Sequence, residues 1–114
     1  MPYIEAKMSI KLDEHQRDEL QKKLVNAVSA AFGKPKPYIM TNIEDGKVIY
    51  MAESREAKAA YIAIRLLGSA SKTACIGLTG DICDILQNDY GIDGSKVYVT
   101  YHPVDLWGWN GSMF

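Results

Sequence analysis

The chain has 114 residues, of which 47% are hydrophobic and 24% are charged, and its net charge at pH 7 is -1. This length and composition predict one globular domain, residues 1–114, and exclude a disordered chain. A charge so close to zero gives no attraction to nucleic acid or to an anionic membrane, and no apolar run approaches the roughly 20 residues of a membrane span. The N-terminus also lacks the basic and apolar regions of a signal peptide, which predicts a cytoplasmic protein.

The first two residues, Met1 and Pro2, carry a processing signal and a reactive group. Aminopeptidases remove an initiator methionine when a small residue follows it, so the mature chain is expected to begin with the secondary amine of Pro2. Burial and neighbouring cations disfavour the charged form of an amine and lower its pKa, and a partly neutral amine can transfer protons. Pro2 is therefore a candidate general base, although a proline here can equally be only the start of a strand.

The first predicted elements are a strand and a long helix. Alternating apolar and polar residues predict a strand over residues 2–9. Asp13, with Gln16 three residues later, is typical of a helix start, and Gly33 offers the left-handed exit at the other end. The helix should therefore run from about 14 to 32.

Two runs of strand-forming residues follow this helix, at 37–43 and 47–51. Because Asp45 and Gly46 between them both tolerate positive φ, the two runs are expected to pair as a hairpin. The first half of the chain is thus predicted to contain a strand, a helix and two further strands.

The second half of the chain repeats this order. Residues 59–67 are nearly all apolar, as in a strand that is buried on both faces. A second helix is predicted to start after the break Gly68-Ser69-Ala70-Ser71, which offers a hydroxyl cap, and to end near Tyr90-Gly91. Residues 96–101 alternate as another strand, and residues 104–114 are aromatic and interrupted by glycine.

This repetition predicts the fold class, an α+β domain of two βαββ repeats, residues 1–57 and 58–114. The strands after the helices share a pattern, Lys36-Pro37-Tyr38-Ile39 and Lys96-Val97-Tyr98-Val99, 60 positions apart (96 minus 36). We expect one four-stranded sheet with both helices on one face. The strands hold more apolar residues than two helices can cover, so the other face is expected to pack against neighbouring subunits. The residues that support this expectation are Ile4, Ile39, Ile62, Ile64, Val97 and Val99.

Cysteine and histidine spacing predicts no metal site and no bound cofactor. Cys75 and Cys83 lack the CxxC spacing of metal and redox sites, and they fall in one helix at a separation too large for a disulfide. His15 and His102 are isolated from each other and from both cysteines, so no cluster of ligands forms.

Four segments together resemble the macrophage migration inhibitory factor family of the tautomerase superfamily. They are Met1-Pro2 with its strand, Gly33-Lys34-Pro35, Lys96-Val97-Tyr98-Val99, and the ending Gly108-Trp109-Asn110-Gly111-Ser112-Met113-Phe114. The resemblance covers the whole chain in length and order. It implies a homotrimer with a pocket between subunits, and a cofactor-independent isomerase that interconverts the keto and enol forms of phenylpyruvate-like α-keto acids.

The resemblance also implies roles for individual residues. Pro2 resembles the catalytic base, Lys34 the cation beside it, and Ile64 a backbone contact to substrate. Aromatic walls would come from Tyr38 and, from an adjacent subunit, Tyr98. The further candidates for substrate binding are Thr100, Trp107, Trp109 and Phe114.

Each of these residues also has a purely structural explanation. A lysine after a helix C-terminus is favourable wherever it points, the tyrosines can be ordinary sheet residues, and the C-terminal aromatics can be interface residues. The chain also departs from the family at three places. It has no CxxC pair in Glu56-Ala57-Lys58-Ala59, a threonine at Thr100 where asparagine is usual, and Trp107 where a small aliphatic residue is common. The missing cysteines argue against an oxidoreductase role, and Thr100 and Trp107 predict a narrower pocket.

Two other functions remain open from the sequence. The chain could be a cytokine-like or host-directed signalling protein, released without a signal peptide and binding a host receptor, in which the pocket is vestigial or secondary. It could also be a small oligomeric domain without a catalytic role. Turnover of phenylpyruvate that depends on Pro2 would exclude this last interpretation.

Overall fold

A computed structural model describes all residues, Met1–Phe114, as a four-stranded mixed sheet with two long helices on one face. The predicted fold class is confirmed. The helices are α1 (Glu14–Phe32) and α2 (Lys72–Tyr90), and the strands are β1 (Pro2–Met8), β2 (Met40–Glu44), β3 (Tyr50–Met51), β4 (Ser54–Arg55), β5 (Ala60–Leu67), β6 (Val97–Val104), β7 (Gly108–Trp109) and β8 (Ser112–Met113). Neither α1 nor α2 combines the length and the apolar character that a membrane-spanning helix needs.

The sheet has the order β2-β1-β5-β6, with the first strand of each half at its centre. Strands β1 and β5 pair antiparallel, while β2 and β6 each pair parallel to the central strand of their own half. Each parallel pair is joined by a helix of 19 residues. The helices begin at Glu14 and Lys72, 58 positions apart (72 minus 14). The two halves are therefore related by an approximate twofold axis.

Both helices begin and end where local sequence signals predict. The Asp13 side chain accepts a hydrogen bond from the Gln16 N–H, and the Gln16 side chain accepts one from the Asp13 N–H in return. Ser71 caps α2 by accepting from the Ala74 N–H. Gly33 and Gly91 end the helices at φ angles of 64° and 67°, a region that suits glycine because it lacks a Cβ.

The core lies between the helices and one face of the sheet. Strand β1 alternates strictly, with Ile4, Ala6 and Met8 fully buried under the helices. Six apolar strand residues were expected to be more than two helices can cover. All six lie against this core, including the partly buried Ile39 and Val99.

The opposite face of the sheet is polar and charged, not apolar. Glu5 lies there between two cations, at 3.6 Å from Lys7 and 3.5 Å from Arg65. Tyr61 and Thr100 share a hydrogen bond of 2.7 Å on the same face. The predicted reason for subunit packing, a surplus of apolar sheet surface, is therefore wrong.

The predicted hairpin across Asp45 and Gly46 is also wrong. Strand β2 pairs parallel with β1, and the next residues dock onto the loop that follows β1. The Asp45 carboxylate accepts from the Leu12 N–H at 2.9 Å, and the Gly46 N–H donates to the Ile10 carbonyl at 2.9 Å. Gly46 does adopt positive φ, so the turn was correctly predicted and its pairing partner was not.

The 60-residue repeat of the Lys-x-Tyr-x pattern is not a structural equivalence. Lys36 begins a 3-10 turn that ends at Tyr38, whereas Lys96 ends the matching turn in the second half. Tyr38 therefore lies in a turn, and Tyr98 lies in strand β6. The predicted strand from 37 starts only at Met40, because Pro35 and Pro37 lack the N–H groups that a sheet needs.

Candidate active site

A cavity of about 370 Å³ opens at the end of the sheet where β1 begins. Its walls come from three parts of the chain: the N-terminus, the 3-10 turn before β2, and the C-terminal hairpin of β7 and β8. The lining residues are Met1, Pro2, Tyr3, Pro37, Tyr38, Ile39, Met40, Trp107, Gly108, Trp109 and Phe114. The walls are mainly apolar and aromatic, so the cavity suits a ligand with an aromatic ring.

Three aromatic side chains form one wall of this cavity. The rings of Trp109 and Phe114 stack at 5.3 Å with an interplanar angle of 18°. Tyr38 meets both rings edge-on, at 5.7 Å from Trp109 and 6.2 Å from Phe114. Offset stacking and edge-on contacts are the favoured aromatic geometries, and each is worth roughly 0.5–1.5 kcal/mol beyond its area burial.

The C-terminal hairpin is anchored where it crosses the cavity. The Phe114 N–H donates to the Trp107 carbonyl at 3.1 Å, which closes the ends of the hairpin on each other. Asn110 and Gly111 form its turn at φ angles of 51° and 74°. This closure fixes the backbone beside Trp107, which lines the cavity but makes no ring contact with Tyr38, Trp109 or Phe114.

The N-terminal amine lies close to this cavity, on Met1, and its pKa is lowered. Partial burial is the main cause of the lower pKa, and the positive charge of Lys34 is the second. Pro2 is buried at the start of β1, opposite Leu66 of β5. The structure therefore brings two parts of the predicted site, the N-terminal residues and Lys34, to one end of the sheet.

Lys34 reaches the N-terminus through the end of β5. Its Nζ donates to the Leu67 carbonyl at 3.3 Å, and the Leu67 N–H donates to the Met1 carbonyl at 3.3 Å. The lysine side chain is half-buried and belongs to no ion pair with a carboxylate. Its charge is therefore free to act on the amine and on an anionic ligand.

Of the other predicted site residues, four line the cavity and three do not. Tyr38, Trp107, Trp109 and Phe114 are in its walls. Ile64 is fully buried inside the sheet opposite Ile4. Tyr98 and Thr100 lie on the outer strand β6, and Tyr98 is 64% exposed. Thr100 instead bonds the Tyr61 hydroxyl at 2.7 Å and His102 Nε2 at 2.8 Å.

Several lining residues were absent from the sequence predictions. Tyr3 follows the proposed base, and Pro37, Ile39 and Met40 flank Tyr38. Their only sequence signal is position, because neighbours of a wall residue in a tight 3-10 turn also reach the cavity. Recognising the turn from its two prolines would have identified them.

A second concavity of about 480 Å³ lies at the other end of β1. Its two lysines are each near a carboxylate: Lys47 is 3.1 Å from Glu44, and Lys7 is 3.6 Å from Glu5. No partly neutral amine or histidine lines it. Its chemistry is therefore less suited to proton transfer than that of the first cavity.

The two-repeat α+β fold, with its N-terminal residues opening on an aromatic cavity beside a lysine, defines a protein of the tautomerase superfamily. The sequence profile of the macrophage migration inhibitory factor family matches residues 1–114. The chain therefore belongs to the macrophage migration inhibitory factor family.

Individual relatives agree with this assignment. Macrophage migration inhibitory factor of Xenopus laevis is 28% identical over 99 residues, which are 85% of this chain and 85% of that protein. The crystal structure of MIF2 of Leishmania major has a TM-score of 0.91 at 27% identity and covers 100% of this chain and 97% of its own. The migration inhibitory factor-like protein of Entamoeba histolytica has a TM-score of 0.88 at 25% identity, covering 99% and 98%. Family membership supports an isomerase-type activity of the tautomerase kind or a related MIF-like function, with a small-molecule substrate and an oligomeric state.

Proposed function

We propose that this protein is a cofactor-independent keto-enol tautomerase of phenylpyruvate-like α-keto acids, with Pro2 as general base once Met1 is removed. The observation that carries the proposal is the N-terminal amine with a lowered pKa beside Lys34 and next to an aromatic cavity. In the processed chain the amine belongs to Pro2, one residue further along β1. Its ring fixes the nitrogen more firmly than a flexible methionine would.

The reaction needs one group that both takes and returns a proton. The neutral Pro2 nitrogen accepts a proton from the carbon next to the keto group, and the electrons of that C–H bond form the carbon–carbon double bond while the carbonyl electrons move onto oxygen. The resulting enolate oxygen takes a proton and becomes the enol, which regenerates the neutral amine. A base with a pKa near the working pH is the most effective for both steps.

The charge of Lys34 and the shape of the cavity determine where the carboxylate and the aromatic ring of the substrate bind. The Lys34 ammonium attracts the substrate carboxylate and stabilises the negative charge that develops on the enolate. The aromatic ring of the substrate lies against Tyr38, Trp109 and Phe114, whose rings are already ordered against one another. Trp107 adds a fourth aromatic wall, which favours a flat ring over a bulky aliphatic chain.

We also propose that the working form is a homotrimer. Tyr98 and Thr100 are site candidates that lie away from the cavity of their own chain, on the outer strand β6. In a trimer they would enter the cavity of a neighbouring copy, whereas Ile64, which is paired on both sides within the sheet, would not. Light scattering on the purified protein should give three times the mass of one chain. A monomer with full turnover would contradict this part of the proposal.

Intact-mass measurement together with a phenylpyruvate assay tests the base. A sample without Met1 should turn substrate over, and Pro2→Ala should reduce kcat/KM by roughly 100-fold or more, the usual contribution of a general base. Pro103→Ala is the matched control, because it removes an exposed proline of β6 that does not line the cavity and is separated from Pro2 by strand β5. Wild-type turnover in a sample shown to retain Met1 would overturn the mechanism.

A signalling role is the second candidate, because the Xenopus relative is named for migration inhibition. It would make the protein a ligand of a host receptor. Receptor binding by the purified Pro2→Ala protein separates the two functions. Binding that survives this change while turnover is lost assigns the cavity to catalysis and the outer surface to signalling.

A further inference from the structure

The C-terminal end of α1 is closed by a side chain and not by the backbone. The Ser29 hydroxyl donates to the Lys34 carbonyl at 2.6 Å across the left-handed Gly33. At the end of α2, by contrast, the Gly91 and Ile92 N–H groups bond back to helix carbonyls at 3.1 and 3.0 Å. The N–H groups of Gly33 and Lys34 make no such bond. Ser29 is therefore the hydrogen-bonding group that ties the Lys34 backbone to α1.

The Lys34 side chain extends from this tied point toward the N-terminus. Its ammonium is hydrogen-bonded to the Leu67 carbonyl, and the adjacent Leu66 pairs with Pro2, whose nitrogen is the amine of the processed chain. Three segments thus meet: the end of α1, the end of β5 and the start of β1. If the carbonyl end of Lys34 moves, the ammonium end moves relative to the amine.

We propose that Ser29 is a positioning residue for Lys34, holding its backbone so that the ammonium stays beside the N-terminal amine. This inference rests on the proposed function, in which the amine is the base and Lys34 the cation. Ser29 is half-buried in α1 and does not line the cavity, so it acts on the reaction only through Lys34.

The physical effect follows from the distance dependence of charge repulsion. Without the Ser29 hydroxyl, the Lys34 carbonyl loses its hydrogen bond to α1, and the ammonium samples positions further from the amine. Repulsion between the two positive groups then falls, and the pKa of the amine rises. Less of the amine is neutral near pH 7, and the substrate carboxylate is held less firmly, so kcat/KM falls.

The test uses Ser29→Ala, Ser29→Thr, Lys34→Ala and the Ser29→Ala/Lys34→Ala double variant. The first readout is an NMR titration of the N-terminal residue, which reports the pKa of the amine without any turnover. Ser29→Ala should raise this pKa and lower kcat/KM by roughly 2- to 10-fold, the range expected for one net hydrogen bond. Ser29→Thr keeps the hydroxyl and should stay near wild type.

The double variant decides whether Ser29 acts through Lys34. Once Lys34 is alanine, adding Ser29→Ala should change neither the pKa of the amine nor kcat/KM. Ser71→Ala serves as the control, because it removes a serine hydrogen bond at the start of α2, and it should lower stability without moving the pKa. An unchanged pKa in Ser29→Ala, or a further fall in kcat/KM when Ser29→Ala is added to Lys34→Ala, would overturn the proposal.

The two proposals fail separately. If phenylpyruvate is not turned over by a chain whose first residue is Pro2, the tautomerase proposal fails. The NMR titration still decides the role of Ser29 in that case. If turnover depends on Pro2 but Ser29→Ala leaves the pKa unchanged, only the positioning role is wrong.

Discussion

Helices α1 and α2 have the same length, end at a left-handed glycine, and lead through a short 3-10 turn into the outer strand of their half. At the end of α1 these residues open on a cavity. At the end of α2 they close on the core, because Ile92, the residue after Gly91, is fully buried. The residue after Gly33 is Lys34, a half-buried cation that reaches the N-terminus.

The two helix ends have the same backbone arrangement but different roles: the end of α2 contributes to the core, and the end of α1 contributes to the cavity. In the second half, the Ile92 N–H completes the helix end at the Leu86 carbonyl and its side chain fills the core. In the first half, the turn is Lys36-Pro37-Tyr38, which turns its aromatic residue toward the C-terminal hairpin. The position that holds a buried apolar residue after α2 therefore holds a cation after α1, and this cation is available to a site.

The largest effect should come from removing the packed anchor of the second half. Ile92→Ala leaves a cavity beside α2 and should lower the free energy of unfolding by about 2–5 kcal/mol, the range for large-to-small changes in a core. Lys34→Ala at the matching position should change it by less than about 0.5 kcal/mol. Urea denaturation of both variants measures the difference. Equal losses would show that both ends are structural.

The next effect is on the pH dependence of kcat/KM and concerns Lys34, after the end of α1. Lys34→Gln removes the charge that lowers the pKa of the amine, so this pKa should rise. The base works only when neutral, above its pKa, and the acidic limb of the kcat/KM profile should therefore move to higher pH. The rate below neutral pH should fall by roughly tenfold for each unit of that rise. Lys36→Gln, an exposed lysine two residues away, is the control.

A smaller effect should separate the starts of the two helices. Asp13 and Gln16 satisfy two backbone N–H groups through side chains, whereas Ser71 satisfies one. Asp13→Ala should cost about 1 kcal/mol, and Ser71→Ala a value in the lower part of the 0.5–2 kcal/mol range for lost caps. Thermal unfolding of the two variants gives the order. A larger loss of stability for Ser71→Ala than for Asp13→Ala would contradict the expected contribution of the paired Asp13–Gln16 hydrogen bonds.

The smallest effect is a gain, confined to α2. Gly77 and Gly80 lie inside this helix, and a Cβ built at either position meets no atom within 4 Å. Replacing each by alanine should stabilise the protein by up to about 1 kcal/mol through helix propensity, and turnover should not change. Calorimetry and the phenylpyruvate assay check the two statements. A loss of stability would indicate that this helix surface packs against another chain.

Local signals predicted the parts of the fold that depend on local chemistry. Asp13, Gly33 and Gly91 marked three of the four helix ends, and Ser71 was one of two candidate caps for the fourth, because caps and left-handed exits are set by neighbours in sequence. The partner of β2 was not predictable in this way. Asp45 and Gly46 do form a turn, but only the distant carbonyl of Ile10 and N–H of Leu12 decide where that turn docks.

The sequence named candidate residues for the site, but not all of the residues that line the cavity. Lys34 was proposed from a resemblance, and its contact with Leu67 places it beside the N-terminus. The resemblance assigned Tyr38 and, from an adjacent subunit, Tyr98 to the aromatic walls, and in the structure Tyr38 lies in a turn and Tyr98 in a strand. Which aromatic residues reach a cavity depends on how distant segments meet, and the spacing of one segment does not contain that information.

The aromatic wall gives the cavity a built-in optical signal. The chain has two tryptophans, Trp107 and Trp109, and both line this one cavity. All of the indole emission of the protein therefore comes from the rim of a single binding site. Occupancy could be followed in the unlabelled native protein by fluorescence quenching, with no substitution or attached dye.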